Sequence, residues 1–531
     1  MANISIINMN INDRPQNNSC SNAFAELEMN QILRIKPINL SGKMTSYHIT
    51  DYFTADIDTI NHRLDIFDDL LNINDIYKLF VDILPALCDI ADVSNDKTND
   101  EHYDFLEYFH YIIKLEMYID CVTKLYEDLT KVKDDVKSKG MIGFIDYITA
   151  IYENEEFKML QTNLSELSVG LKNMKSITVG INLDNQMRLI DFGIVSTNSE
   201  QYKQGNLLDK ILRADFSKKE NDQYTCITSL TPILKNLSET QMVAVNNSFK
   251  SAFNSLLKKS LKNVQLSVSA YMKNCAKFLL DLIPEICFLI AGFDFIKWLK
   301  ERGVAICKPK MSQNKHSHFK NLINPYLLNN MNAEDIISND ISFDESGMIY
   351  VLTGANSGGK SVFLYSLGIA QILFQLGLFV PAEEAVLFPA DNISVHFPIK
   401  NTTQTSAGRL EQECIMLNNI IKNITPDGFV LMDETFSSTS AYDGSVLAEE
   451  ILKYFASIGC KCVFSTHIHE LAMKIDNINN NAKSTVKVDN LIAETDEGKR
   501  TYKISRKIPE GQSYAKDIAK KYGLLFDFIP D

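Results

Sequence analysis

One stretch narrows the choice of fold more than any other. From Met348 to Val362 the chain reads Met-Ile-Tyr-Val-Leu-Thr-Gly-Ala-Asn-Ser-Gly-Gly-Lys-Ser-Val. Ile349 to Leu352 is an apolar run rich in β-branched and aromatic residues, the pattern of a buried strand. It empties into Gly354-x-x-x-x-Gly359-Lys360-Ser361 and then into an apolar-periodic helix from Val362 to Gly377. In that order, backbone N–H groups can curl around a phosphate while the helix N-terminus adds its partial positive charge. Gly354, Ala355, Asn356, Ser357, Gly358 and Gly359 would form the cradle. Lys360 would reach the β- and γ-phosphates, and the Ser361 hydroxyl would complete a Mg²⁺ shell. At average residue usage the bare pattern arises in about one chain of this length in fifty. The flanking strand and helix make nucleotide binding the reading.

A second stretch supplies the acids that such a loop needs. Phe429-Val430-Leu431-Met432-Asp433-Glu434 is an apolar strand closed by two carboxylates. The strand is expected beside the phosphate-loop strand, with Asp433 holding Mg²⁺ and Glu434 orienting or deprotonating the attacking water. A third strand, Cys460 to Ser465, ends at Thr466-His467. A histidine at the carboxyl end of a parallel strand lies in the ligand crevice, so His467 is placed to sense a γ-phosphate. Cys460, Cys462, His467 and His469 do not make a zinc set: alternate strand positions bury both thiols on one face, and structural zinc sites space their cysteines differently. His316-x-His318 lacks a third ligand and reads as a solvated loop.

The rest of the 531 residues allows several domains. A net charge of −14 argues against a surface coated with cations for nucleic acid, though not against a local basic groove. Ten cysteines without a regular framework, and no secretory signal, read as a cytoplasmic setting. Asp281, Pro284, Glu285 and Asp294 interrupt the most apolar stretch, Phe278 to Ile296, which therefore does not span a bilayer.

Residues 1–45, rich in Asn and Ser, read as a loosely held arm with one or two strands. Helical patterns follow from about Tyr52, with a break or kink at Pro85. Phe105, Phe109, Ile112, Leu115, Ile119, Val122, Leu125 and Leu129 mark one long amphipathic helix. Ile177–Ile181 and Leu189–Val195 read as a hairpin set into the helical domain. Helix returns from about Ser238 to Arg302, with a kink at Pro284, carrying Lys250, Lys258, Lys259, Lys262 and Lys273 as possible backbone contacts to DNA. Cys307 to Phe319 reads as a polar linker.

Several segments resemble the MutS family. Asp433-Glu434-Thr435-Phe436-Ser437-Ser438-Thr439-Ser440-Ala441-Tyr442-Asp443-Gly444 is similar to its extended Walker B segment. Ser465 to Leu471 resembles its switch-histidine segment, and Thr353 to Ser361 its phosphate loop, with Ala355 where proline is usual. Ser338-Asn339-Asp340, Val380-Pro381-Ala382, Arg63-Leu64-Asp65 and Gly511-x-Ser513-Tyr514 with Gly523-Leu524 are weaker echoes. The resemblance is specific over about Asn339 to Leu524. It implies an ABC-type ATPase working as a homodimer, with Ser406-Ala407-Gly408-Arg409 offered in trans to the γ-phosphate and Glu411 and Glu413 on a solvated helix face behind. The family's Gly-Arg-Gly is replaced by Phe436, Ser437 and Ser438. With about 45 residues before the core helices, the family's mismatch-reading and connector domains are not expected.

The expectation is a multidomain protein: an arm (1–45), a mostly α-helical core and lever domain with a small β-hairpin (46–320), and an α/β phosphate-loop ATPase domain of ABC type (321–531). It would couple Mg²⁺ and ATP, bound and hydrolysed across a dimer, to helical arms that bind DNA without a mismatch wedge. The alternative is an ATP-driven regulator of a protein partner on the arms, with no nucleic acid. No membrane association is expected.

Overall fold

The computed structural model describes residues 5–9, 20–34, 38–40, 43–45, 48–94, 105–172, 175–186, 189–201, 203–204, 225–226, 238, 243, 281–398, 408–480, 483–496 and 499–509. The lysines between Lys250 and Lys273, the helix expected from Ser238 to residue 280 apart from Ser238 and Val243, Ser406, Ala407 and the Gly511 to Leu524 echoes lie outside them.

The first half is helical. Helices α1 (Ile57–Asn72), α2 (Asn74–Ser94), α3 (Phe105–Val132), α4 (Lys139–Glu153) and α5 (Glu155–Lys172) lead to the hairpin, and α6 is described over 281–301. Asp56 starts α1 by accepting the Thr59 N–H, and Ser138 starts α4 by accepting that of Met141. The periodicity read for α3 is largely borne out where its side chains are described: Ile112, Leu115, Val122, Leu125 and Leu129 are buried and Ile119 is half-buried. Helix α2 runs through Pro85 without a break. Pro85 and Val81, whose carbonyl loses its partner, are both exposed, so water can take the lost bond. The hairpin pairs Ser176–Leu183 with Leu189–Asn198.

The N-terminal segment is held more firmly than its composition suggests. Ile6 and Ile7 are fully buried. Glu285 on α6 accepts the Ser5 hydroxyl and the Ile6 and Ile7 N–H groups, while His62 of α1 bonds the Ile6 carbonyl. Arg63, with no exposed surface, donates to the Ile7 and Tyr52 carbonyls and to Asn8 Oδ1. Strands Ile38–Leu40 and Lys43–Thr45 form a small antiparallel pair.

The second half carries a six-stranded sheet: β1 (Ile349–Gly354), β2 (Ile393–His396), β3 (Phe429–Asp433), β4 (Lys461–Ser465), β5 (Val488–Asp496) and β6 (Lys499–Ser505). Their order is β2-β3-β4-β1-β5-β6, parallel except for β6. Strand β3 therefore does not lie beside β1 as expected; β4 separates them. Strands β1, β3 and β4 are buried along their whole length, as befits parallel strands covered on both faces. Tyr350, Leu352, Leu431 and Val463 join the core shared with the helical half, whereas Ile349, Val351, Val430, Met432, Cys462 and Phe464 face a second core. Helix α7 (Lys360–Gln375) packs in the first core; α8 (Arg409–Asn423) and α9 (Ala441–Ile458) contribute to the second.

A four-stranded sheet of Lys310–Met311, Glu384–Leu387, Ser317–Leu322 and Asn339–Phe343 flanks this one. The segment read as a polar linker thus supplies strand residues, with Ser317 and Phe319 turned inward. Two buried glutamines tie α7 to its surroundings. Gln375 donates to the Thr54 and Ala390 carbonyls and accepts from Ala390 N–H and from Gln371. Thr54, just before α1, also donates its N–H to the Gln375 carbonyl. The helix behind the glycine loop is in this way bonded to the entry of the helical half.

Candidate functional site

The glycine loop leaves β1 where two unusual backbone angles are required. Gly354 has φ 129° and Gly359 φ 95°, both in the region that favours glycine. A Cβ at Gly354 would stand 2.8 Å from the Ala493 carbonyl of β5, so the strand could not pass there with a side chain. Ser357, between them, adopts φ 59° at some cost. Gly359 caps α7 without a side-chain bond, and Asn356, Ser357 and Ser361 are exposed. The helix start thus keeps N–H donors unclaimed by any capping side chain, as an anion site needs.

Lys360 is 5% exposed and folds back to donate to the Gly354 (3.1 Å) and Ala355 (3.2 Å) carbonyls. Burial lowers its proton affinity from the ordinary lysine value, while the Glu434 and Asp433 carboxylates pull the other way. Loop lysine and strand acids therefore share one electrostatic site although β4 lies between their strands. Register explains this: Asp433 pairs with Ser465, and Ser465 pairs with Leu352, two residues before the end of β1. The intervening strand brings its own end, Ser465-Thr466-His467, between loop and acids.

At these strand ends, polar atoms are left over. Asp433 Oδ1, Ser465 Oγ and Thr353 Oγ1 are buried with no hydrogen-bond partner. A buried carboxylate oxygen without a protein donor is costly, and a hydrated divalent cation or its water shell would satisfy it. The chemistry of the unpartnered Asp433 carboxylate therefore fits a Mg²⁺ ion. Sequence reasoning had not singled out Thr353 or Ser465 for this; their signal was a small hydroxyl closing each apolar strand.

Glu434 is half-buried in left-handed backbone (φ 48°), its N–H bonded to the Ser465 carbonyl at 2.9 Å. Phe436 follows at φ 64°, where the resemblance has glycine, with its ring buried in the second core. His467 is exposed. His469, not proposed from sequence, has its proton affinity lowered by burial first and then by the positive charges of Lys360 and His467. Both histidines thus belong to the same electrostatic neighbourhood as the loop.

Of the segment expected in trans, only Gly408 and Arg409 are described: Gly408 is the exposed N-cap of α8, with no side-chain cap. The expectation for Glu413 is corrected. It is 8% exposed, and its carboxylate accepts the Phe436 N–H at 3.1 Å. His396, at the end of β2, was also missed. It is 2% exposed, its Nδ1 lies 3.0 Å from Thr435 Oγ1, and burial lowers its proton affinity to about 4, so the ring is neutral.

Helices on both faces of a mostly parallel sheet, a glycine loop opening into an uncapped helix, and acids gathered at neighbouring strand ends define a mixed α/β unit joined to a helical one. The comparisons with known proteins narrow the class. The family model for MutS domain V matches residues 350–527, and that for the MutS2 N-terminal domain matches residues 55–302. The DNA mismatch repair protein MutS of Clostridium perfringens is 26% identical over 444 residues, covering 80% of this chain and 44% of that protein. MutS of Clostridium kluyveri is 29% identical over 228 residues (41% of this chain, 25% of that protein). MutS of Listeria monocytogenes is 33% identical over 165 residues (31% and 19%). The chain belongs to the MutS family. It spans less than half the length of these curated relatives. The match over 55–302 extends the family likeness into the helical half, where the sequence alone offered only a layout. Among the described residues, no helix is long and apolar enough to cross a membrane.

Proposed function

We propose that this protein is a Mg²⁺-dependent ATPase of the MutS type, in which nucleotide binding and hydrolysis at the β1–β3–β4 strand ends govern how its helical arms hold DNA. The observation that carries the proposal is the orphaned, buried Asp433 oxygen in the same electrostatic site as Lys360, beside a helix start that no side chain caps. The relatives are named for DNA mismatch repair.

In this scheme residues 354–361 cradle the phosphates through backbone N–H groups, and Lys360 leaves the loop carbonyls for phosphate oxygens. Bound Mg²⁺ would neutralise charge on the β- and γ-phosphates. Ser361 and Asp433 hold it, Glu434 orients and deprotonates the attacking water, and His467 reads the γ-phosphate. Ser406 and Gly408 would complete the site of a partner subunit in a homodimer. The domain division is proposed as 1–45, 46–320 and 321–531. Arms that move between states and bind the DNA backbone without a wedge follow from contacts made only with ATP in place. The second reading, a regulator of a protein partner, is favoured by the net charge of −14.

The test is ATP turnover with and without Mg²⁺, with Lys360→Ala and Glu434→Gln in parallel. Lys360→Ala should lose nucleotide affinity, and Glu434→Gln should bind ATP but turn it over at least about 100-fold more slowly. Turnover insensitive to both substitutions would rule out this site.

A further inference from the structure

The turn that carries Glu434 is costly in itself. Glu434 and Phe436 both adopt left-handed backbone (φ 48° and 64°), a conformation that disfavours side-chain-bearing residues. Such a turn persists only if its surroundings hold it. Three anchors do so: the Ser465 carbonyl accepts the Glu434 N–H (2.9 Å), His396 Nδ1 meets Thr435 Oγ1 (3.0 Å), and Glu413 accepts the Phe436 N–H (3.1 Å). Two of them come from the sheet. The third comes from α8, and it is the one that can be altered without touching a strand.

Glu413 is unusual for its place. A carboxylate 8% exposed is rare unless it is paired or hydrogen-bonded, and here it accepts the Phe436 N–H. Arg409, one turn earlier on α8, supplies the nearby positive charge. The carboxylate thus receives the turn from one side and is tied, through its own helix, to the exposed N-terminus at Gly408 on the other.

We infer that Glu413 is a positioning residue for Glu434: its buried carboxylate fixes the Glu434–Phe436 turn from α8, so that the aim of the base depends on where α8 sits. The inference rests on the ATPase proposal and adds a route by which whatever meets the N-terminus of α8 is felt at the base. Removing the acceptor frees the Phe436 N–H and lets the turn relax, which misplaces Glu434 without altering the phosphate loop. An amide at the same position keeps an oxygen to accept that N–H.

The experiment compares Glu413→Ala, Glu413→Gln and Glu413→Ala/Glu434→Gln with the intact full-length chain, measuring Mg²⁺-ATP turnover and the affinity for a fluorescent ATP analogue. Glu413→Ala should lower kcat by about 10- to 100-fold, the scale on which small misplacements of a catalytic group act. Affinity should stay within about threefold, because the loop is untouched. Glu413→Gln should restore most of the turnover. In the Glu434→Gln background, Glu413→Ala should cost nothing more, since it acts through Glu434. If Glu413→Ala does not fold, Glu413→Asp replaces it: one methylene too short to reach, it should lose kcat and keep affinity. Unchanged kcat in the truncated variant, parallel loss of kcat and affinity, or additivity with Glu434→Gln would overturn the inference. Wild-type turnover indifferent to Glu434→Gln would instead overturn the ATPase proposal beneath it.

Discussion

Replacing Lys461 with methionine should stabilise the protein, by an amount that shrinks as the pH rises. Lys461 opens β4, is 3% exposed, and donates to Ser317 Oγ (3.2 Å) and the Phe388 carbonyl (3.3 Å), close to the Phe388 and Phe429 rings. Both acceptors are neutral. Asp427, the carboxylate that acts on it, lies 2.6 Å from Lys315, which repels Lys461 in turn. Burial accordingly pulls the ammonium from 10.5 down to about 7. The unfolded chain keeps the ordinary value, so between about pH 7 and 10.5 the unfolded state binds more protons than the folded one and stability rises with pH. Below that window the whole penalty stands, about 5 kcal/mol at 1.36 kcal/mol per unit. Methionine removes it but forfeits two hydrogen bonds worth about 1 kcal/mol each. The net gain should be about 2–3 kcal/mol near pH 6.5, turning to a small loss by pH 10. Urea unfolding of both proteins at pH 6.5, 8 and 9.5, followed by circular dichroism and by hydrogen exchange of β4, measures it. Equal destabilisation by Lys461→Met at all three values would refute the reasoning.

Two further perturbations probe parts of the same framework. His396 is depressed from 6.5 to about 4, so its contribution is complete above pH 6.5 and lost as the pH falls through 4; His396→Gln, which keeps a polar partner for Thr435, should flatten the acid limb of a stability–pH curve. Arg63→Met leaves the Ile7 and Tyr52 carbonyls and Asn8 without their donor, and should cost about 3–5 kcal/mol and speed proteolysis of the first ten residues, read by timed digestion.

What could be read from the sequence was what is local. The strand, glycine loop and helix around Gly354 to Ser361 are contiguous, and so is the apolar run ending in Asp433-Glu434; each element appears where its pattern predicts. Sheet order is not local. Nothing in β3 or β1 says that β4 will pair with both, and the two strands were expected side by side. Glu413 shows the same limit within one helix. It sits two residues from the exposed Glu411, and its only sign of burial is an N–H 23 residues away that needs an acceptor. The firm hold on residues 5–8 of the N-terminal arm was not read because its polar residues suggested solvent, whereas their anchors, Arg63 and Glu285, lie about 55 and 280 positions downstream. The hairpin was legible because alternation and a short connection are both local. The likeness in the helical half was not, because packed helices leave only a period, which many sequences share.

Under the proposed function, nucleotide at the β1–β3–β4 strand ends controls a grip on DNA. This control is tested most directly by titrating double-stranded DNA into the purified protein at low and high salt, with and without ATP, for the wild type and Glu434→Gln. Binding should change with nucleotide, weaken steeply as salt rises, and be trapped in the ATP state by Glu434→Gln. ATP turnover with no response to DNA in any condition would contradict it and turn the search to a protein partner for the helical arms.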